Sequence, residues 1–225
     1  MSESAAAFDK TYQDLRSSNQ PGWGGEAYGR RLQAWEASLG KLDAIAWPTR
    51  ERGRILELGC GNGMAAFILG RLGHEVYGLD VSSAAIAWAV ERFNTAGIAA
   101  DLRVGNVRSM PFYVDEMFDL VVDGNCLHCV IGAERALVLG EIRRIIRRGG
   151  MFLVSSMCGP PKSTEARRDY DAGIRCLIRD GVPSRFMPSP ESLVQECLAA
   201  GFEFVSADLS KNSWWDHLEL LLARP

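Results

Sequence analysis

A short apolar strand that ends on a carboxylate and breaks into alternating glycines constrains this chain more than any other feature. It reads Arg54-Ile55-Leu56-Glu57-Leu58 and then Gly59-Cys60-Gly61-Asn62-Gly63. Glycines in this alternation predict a tight turn with φ > 0 that lets a ligand lie against the backbone. Met64–Leu72 reads as a helix behind the turn, so its first N–H groups face whatever binds there. Glu75–Asp80 reads as a second strand that again ends in an acid, seventeen residues after Gly63. A carboxylate at that tip is placed to accept two hydrogen bonds from a ribose diol.

Two ligand classes fit such a turn. Gly61-x-Gly63-x-x-Ala66 with Asp80 can be set on the dinucleotide fingerprint, a weak motif by itself, but no Tyr-x-x-x-Lys of an oxidoreductase stands anywhere in the chain. The fuller pattern Glu57-x-Gly59-x-Gly61-x-Gly63 resembles motif I of the class I S-adenosylmethionine-dependent methyltransferases. A carboxylate two residues before the first glycine suits a ligand that carries an ammonium group and no pyrophosphate.

The segment around this turn alternates strand and helix, the pattern of a parallel sheet with helices on both faces. After the first two strands, Ser82 or Ser83 caps a helix over Ala84–Phe93. Ala100–Val104 is a third strand and Phe118–Asp123 a fourth, with the continuous apolar run of a strand buried on both faces. A helix over Ala133–Ile146 leads through Arg148-Gly149-Gly150 to a fifth strand, Met151–Met157. The resemblance implies one domain with a seven-stranded, mostly parallel Rossmann-like sheet and an antiparallel last strand. Its expected parts are an N-terminal cap segment (1–50), a cofactor-binding core (54–158), a lid insertion (159–189), and a C-terminal helix and hairpin (190–225).

Within the cap, a helix is expected from Glu26 to Ala46, stopped near Pro48, with Tyr12, Trp23 and Tyr28 as candidate lid residues. In the lid, a helix is expected from Glu165 to Arg179 between prolines. Ser189-Pro190-Glu191 opens a further helix, with serine as cap and proline at its first position. Phe202–Leu209 and Trp214–Ala223 read as the final hairpin.

The resemblance carries a binding role to each strand tip. Glu57, Gly59, Cys60, Gly61 and Gly63 would hold the methionine part of the cofactor. Asp80 would bind the ribose hydroxyls, Val81 would pack on the adenine, and Asn106 with Val107 would meet its edge. An Asp often stands at the Asn106 position; the amide keeps an acceptor and adds a donor. Asp123, Gly124 and Asn125 would lie beneath the sulfonium.

Methyl transfer from a sulfonium is an in-line displacement, so the protein chiefly aligns the reactants and excludes water, removing a proton where the nucleophile carries one. His128 is the candidate base, because a neutral imidazole suits physiological pH; as a bland alternative it is a polar residue at a helix start. Cys126 and Cys129 flank it, and Cys158 ends the neighbouring strand. Taken singly, each cysteine reads as small apolar packing. Taken together they suggest a thiol or trivalent-arsenic acceptor, since arsenite methyltransferases resemble this core, have Asn-Cys after the fourth strand and carry a cysteine farther on, where Cys176 stands. This chain has no cysteine ahead of Gly59. A structural zinc site would need four ligands, which the pattern does not supply, so no metal is expected. A non-catalytic S-adenosylmethionine-binding module is the remaining alternative.

The net charge of −3 gives no global positive field toward nucleic acid or anionic lipid. No Asn-Pro-Pro-Tyr or Asp-Pro-Pro-Tyr follows the fourth strand, which also argues against nucleobase amines and for a small-molecule acceptor. Arg143, Arg144, Arg147 and Arg148 read as a solvated helix face. No run reaches the length of a membrane span. The N-terminus lacks the pattern of a secretory signal, and six cysteines without one point to reduced thiols in a cytoplasm. The oligomeric state is left open by the sequence.

Overall fold

The computed structural model describes residues 3–47 and 52–225, so Pro48, expected to stop a helix, lies outside the described residues. In chain order the helices are α1 (Glu3–Ser17), α2 (Tyr28–Ala46), α3 (Met64–Arg71), α4 (Ser83–Ala96), α5 (Glu134–Ile145), α6 (Thr164–Arg168) and α7 (Pro190–Ala199). The strands are β1 (Arg54–Leu58), β2 (Glu75–Asp80), β3 (Ala100–Val104), β4 (Phe118–Asp123), β5 (Ile146–Cys158), β6 (Tyr170–Asp171), β7 (Cys176–Arg179), β8 (Val182–Phe186), β9 (Glu203–Lys211) and β10 (Asp216–Ala223). The main sheet has seven strands in the order β3-β2-β1-β4-β5-β10-β9. Its β1–β2, β2–β3 and β4–β5 pairs are parallel, and β10 runs antiparallel to both β5 and β9. The seven-stranded, mostly parallel Rossmann-like sheet expected from the sequence is therefore present.

By its contacts the chain divides into two compact units, Met1–Met110 and Pro111–Pro225. In the first, Ile55, Leu56 and Leu58 of β1 are buried with Val76 and Leu79 of β2. Small residues let α3 lie close: Ala65 and Ala66 are buried, and a Cβ on Gly70 would come within 2.7 Å of Ile98. Ser82 caps α4 by accepting from the Ala85 N–H at 3.0 Å, and Gly97 in the left-handed region ends it, a serine start and a glycine stop as capping rules require.

In the second unit, Phe118, Leu120, Val121 and Val122 of β4 are all buried, the mark of a strand covered on both faces. Ser189 accepts from the Ser192 N–H at 3.1 Å with Pro190 at the first turn of α7. The Gly149-Gly150 turn is absorbed into β5, which begins at Ile146. Gly149 sits at φ 71° and donates to Arg224, while the Arg224 N–H returns to Gly150.

Two local expectations fail. The helix expected over Glu165–Arg179 is only α6, and the rest of the segment is a three-stranded antiparallel sheet, β6-β7-β8. The cause is the Asp180-Gly181 turn: both residues have φ > 0, at 52° and 78°, which is the two-residue hairpin geometry that Asp-Gly favours. At the N-terminus, Glu26 and Ala27 belong to a short 3-10 turn ahead of α2, and α1 was not anticipated at all.

Candidate functional site

In the first unit the site is a turn held rigid by two buried carboxylates. Gly59, Gly61 and Gly63 all have left-handed backbones, with φ of 61°, 55° and 77°. A side chain is excluded sterically as well: a Cβ on Gly63 would come within 2.7 Å of Phe93, and one on Gly61 would overlap the Tyr12 hydroxyl. The Cys60 N–H donates to Leu79, which ties the turn to the second strand.

Glu57 is buried, and its oxygens accept from the Ala65 and Ala66 N–H groups at 3.2 and 2.7 Å. It thus caps the first turn of α3 from the preceding strand, satisfying donors that a helix start leaves open. Burial pushes its carboxyl up to about 8, against the pull of those N–H groups and of Arg92. Asp80 bridges the two turns: it accepts from Gly61 N–H at 2.8 Å and from Ser82 N–H at 2.9 Å. Burial raises its carboxyl, and the two N–H donors oppose the shift. The carbonyl of Asp80 accepts from Gly105, so the tips of β2 and β3 are joined. Val81 is half-buried and Val107 is buried. Asn106 is exposed and accepts through its side chain from the Arg108 N–H at 3.0 Å.

The N-terminal segment is fastened onto this turn. Tyr12 is buried beside Gly61; burial, with Asp80 next, pushes its phenol well up. Trp23 packs on Tyr12 and Phe8 with ring centroids 5.5 and 5.9 Å apart. The Asn62 amide donates to Pro21 at 2.9 Å. Tyr28 is buried, and its hydroxyl accepts from Arg92 at 2.8 Å. Tyr12, Trp23 and Tyr28 therefore gather at the glycine turn.

Asp9, Arg31 and Arg92 were not anticipated. Asp9 accepts from the Ala84 N–H at 3.0 Å and from the Ser82 hydroxyl at 2.7 Å, so α1 supplies a second cap to α4. Arg92 donates to the Asn62 and Gly63 carbonyls and stacks over Phe67 at 4.0 Å. Arg31 is half-buried beside Gly24, and burial lowers its guanidinium, opposed by Tyr12. The signal for α1 was legible: Ala5, Phe8, Tyr12 and Leu15 recur at helical spacing.

In the second unit, β4 ends on Asp123, which is 1% exposed. One of its oxygens accepts from the Cys126 and Leu127 N–H groups at 2.7 and 2.8 Å, while the other is buried without a hydrogen-bond partner. Burial lifts its carboxyl to about 7, opposed by the Leu127 and Cys126 N–H groups, by Arg135 and, most weakly, by the Ser155 N–H, which acts on the carboxyl without closing a hydrogen bond to the second oxygen. Asn125 takes a left-handed backbone at φ 68°, which costs more than for glycine. A 3-10 turn, Leu127–Cys129, follows, with His128 buried and Cys126 and Cys129 half-buried.

Arg135 pins that turn. It donates to the Leu127 and Val130 carbonyls at 2.6 and 3.0 Å, pairs with both oxygens of Glu196, and lies over the Phe186 ring at 4.8 Å. One buried guanidinium thus holds the His128 turn, α7 and β8 together. Nothing in the local sequence singles it out from the arginines that follow. Those spend their charge elsewhere: on α5, Arg143 on the Gly201 carbonyl and Arg144 on Glu141 and Asp115; and, at the start of β5 rather than on the expected helix face, Arg147 on Asp119 and Arg148 on Glu116. The Ser155 hydroxyl and the His217 ring, which the sequence did not suggest, stand 2.7 Å apart.

The cysteines do not assemble into a metal-type cluster. Among the described residues, no three His, Cys, Asp or Glu side chains are placed to hold a metal ion. Burial pushes the Cys158 thiol up to about 11 and that of Cys197 to about 12, and it raises Cys176 as well. Such thiols stay protonated and are poor ligands and nucleophiles. Among the described residues, no helix is long and apolar enough to cross a membrane.

Residues 56–154 match the family model described as a methyltransferase domain. A probable S-adenosylmethionine-dependent methyltransferase of Mycolicibacterium smegmatis is 32% identical over 102 residues, covering 45% of this chain and 37% of that protein. A ubiquinone biosynthesis O-methyltransferase of Cereibacter sphaeroides is 30% identical over 110 residues, covering 49% and 43%. The matched region spans less than half the length of either relative. The 1,6-didemethyltoxoflavin-N1-methyltransferase of Burkholderia thailandensis, solved with its acceptor and S-adenosylhomocysteine, superimposes with a TM-score of 0.68 at 19% identity, covering 97% of this chain and 88% of that one. That likeness concerns the fold.

Proposed function

From the premise that the chain belongs to the class I S-adenosylmethionine-dependent methyltransferases, enzymes whose cofactor is S-adenosylmethionine, we propose that it transfers a methyl group to a small-molecule acceptor. We read the whole chain as one methyltransferase domain, with 1–50 as the cap and 159–189 as the lid.

The observation that carries the reading is the turn of three left-handed glycines between Glu57 and Asp80. Its glycines bring backbone N–H groups at a helix N-terminus within reach of a close neighbour; against Gly61 that neighbour is the Tyr12 hydroxyl of the cap, which a ligand would meet or displace. In this reading Glu57, Gly59, Cys60, Gly61 and Gly63 shape the surface for the methionine part. Asp80 accepts from the ribose hydroxyls, and Val81, Asn106 and Val107 contact the adenine. Asp123 and Asn125 face the sulfonium end. The cofactor supplies an electrophilic methyl group. The chain's own work is to orient, to exclude water, and to remove a proton where the acceptor holds one.

Tyr12, Trp23 and Tyr28, gathered at the turn, are suited to excluding water. For an oxygen acceptor, the type named by the ubiquinone biosynthesis O-methyltransferase relatives, His128 is the group proposed to take the proton where the oxygen carries one. Its turn is held by Arg135, which bonds the backbone carbonyls on either side of it, at Leu127 and Val130. The thiol or arsenic reading, through Cys126, Cys129 and Cys158, is the second reading, and the raised thiol of Cys158 weighs against it. The module reading predicts cofactor binding without turnover.

Titration calorimetry with S-adenosylhomocysteine, with NAD run alongside, tests the cofactor assignment. Micromolar binding of S-adenosylhomocysteine alone is expected; binding of NAD instead would overturn it. An acceptor screen over phenols, amines, thiols and arsenite, read as S-adenosylhomocysteine formed, then separates the enzyme from the binding module.

A further inference from the structure

The outer strand of the sheet points to a partner. All nine residues of β9 are exposed, although the strand shares a face with the core. Its register with β10 sets Leu209, Ala207 and Phe204 beside Leu218, Leu220 and Leu222. Cross-strand partners point to the same side of a sheet. The three β10 leucines are buried, whereas Phe204 is 52% and Leu209 40% exposed. Val205, 49% exposed, has no partner of its own on β10, because the register slips there. The core face of the sheet therefore runs on to an uncovered apolar strip, beside a row of backbone groups with no strand beyond it in the sheet order.

Edge strands that stay single are usually blunted by charges, proline or a bulge; here the one register slip lies at Val205, and the strand from Ser206 to Lys211 pairs regularly with β10. Between Phe204 and Ser210 the only charge is Asp208, and there is no proline. The charges stand instead at the two ends, Glu203 and Lys211, with opposite sign. That spacing is self-complementary. With a two-fold axis at Ala207, an antiparallel copy sets Glu203 opposite Lys211 and Val205 opposite Leu209, each twice. Opposite charges and apolar pairs directly across antiparallel strands stabilise the pairing, and like charges disfavour it.

We propose that β9 is a self-association edge: two copies of this chain pair β9 antiparallel about Ala207, continuing the sheet across a two-fold axis and setting the Val205 and Leu209 side chains of one copy beside those of the other. The contact is isologous, the commonest closed arrangement of homo-oligomers, and with one strand per copy it belongs with the small, reversible interfaces.

Sedimentation equilibrium from about 1 to about 200 µM should show a monomer–dimer equilibrium, since association depends on protomer concentration. Val205→Lys/Leu209→Lys should leave a monomer throughout. Lys211→Glu and Glu203→Lys singly should each weaken the dimer by roughly tenfold, and the exchange of both should restore it. These side chains are exposed and lie outside the glycine turn, so unchanged S-adenosylhomocysteine affinity, and an unchanged melting temperature at the dilute end of the range where both proteins are monomeric, serve as fold controls. A monomer at every concentration, or a dimer indifferent to the two lysine substitutions, would overturn the proposal. A dimer weakened by the single charge reversals but not restored by their exchange would overturn the antiparallel register about Ala207.

Discussion

The turns after β1 and after β4 are both built on a buried strand-end carboxylate, and they are completed in opposite ways. After β1, Glu57 places both oxygens on helix N–H groups, and Asp80 divides its oxygens between Gly61 and Ser82. Every left-handed position there is glycine. After β4, Asp123 commits one oxygen and leaves the other buried without a hydrogen-bond partner, and the left-handed position is Asn125. The first turn is satisfied and unstrained, a fixed surface for a ligand. The second holds strain and unmet hydrogen-bonding capacity, the features that collect where chemistry is done.

The largest effect that distinguishes the two turns is expected at Gly61. Gly61→Ala puts a side chain at φ 55° and into the Tyr12 hydroxyl. Strain of this kind costs roughly 1–3 kcal/mol. Displacement of Tyr12 and distortion of the turn together should weaken S-adenosylhomocysteine binding by about a hundredfold, since each 1.4 kcal/mol is tenfold. Wild-type affinity in calorimetry would show that the ligand does not lie against this turn. At the second turn the opposite pattern is expected. His128→Ala should lower turnover by about a hundredfold, the range of general-base catalysis, with cofactor affinity nearly unchanged. A fully active variant would remove His128 from the chemistry.

This contrast also separates what the sequence made legible from what it hid. The first turn could be read because its physics is local: glycine spacing, an acid at each strand end, and a serine cap are all sequence-adjacent facts. Strand ends at Leu58, Asp80, Val104 and Asp123 fall where the apolar runs predict. The pieces that escaped are held at long range. Asp9 caps a helix 75 residues away, and Arg135 clamps Glu196 across 61 residues, pairings that no window of sequence contains. The β6-β7-β8 sheet escapes for a different reason. Prolines bracket the charged run Glu165–Arg179 as they would a helix, but Asp180-Gly181 is a strong hairpin signal and it decides the local fold. Turn chemistry is the stronger determinant there.

A smaller effect tests whether Asp80 serves a ligand as well as its neighbours. Asp80→Ala removes acceptors from the Gly61 and Ser82 N–H groups along with any bond to a ribose. Affinity for S-adenosylhomocysteine should fall more than about tenfold, the scale of charged hydrogen bonds lost. Adenosine alone should lose affinity in parallel, because it carries the ribose and not the methionine part. If adenosine binds the variant as well as the wild type, Asp80 acts only on the turn.

The smallest effect bears on the second turn and is read through pH. The Asp123 carboxyl is lifted from 3.8 to about 7 by burial, so between those values the folded protein holds a proton that the unfolded chain has released. Stability then falls as pH rises through that window. The stabilisation is complete below the unfolded pKa and gone once pH passes the folded one. Glu57, lifted to about 8, adds a slope of the same sign up to a higher pH. Asp123→Asn keeps an oxygen for the Cys126 and Leu127 N–H groups and has no charge to desolvate. Urea unfolding at pH 5, 6, 7 and 8 should therefore show a shallower decline in the variant than in the wild type up to about pH 7, above which the two slopes converge on the Glu57 contribution that persists in both. Parallel curves would mean that the buried oxygen of Asp123 is solvated or paired in solution. The two turns would then differ only in backbone strain, not in unmet hydrogen-bonding capacity.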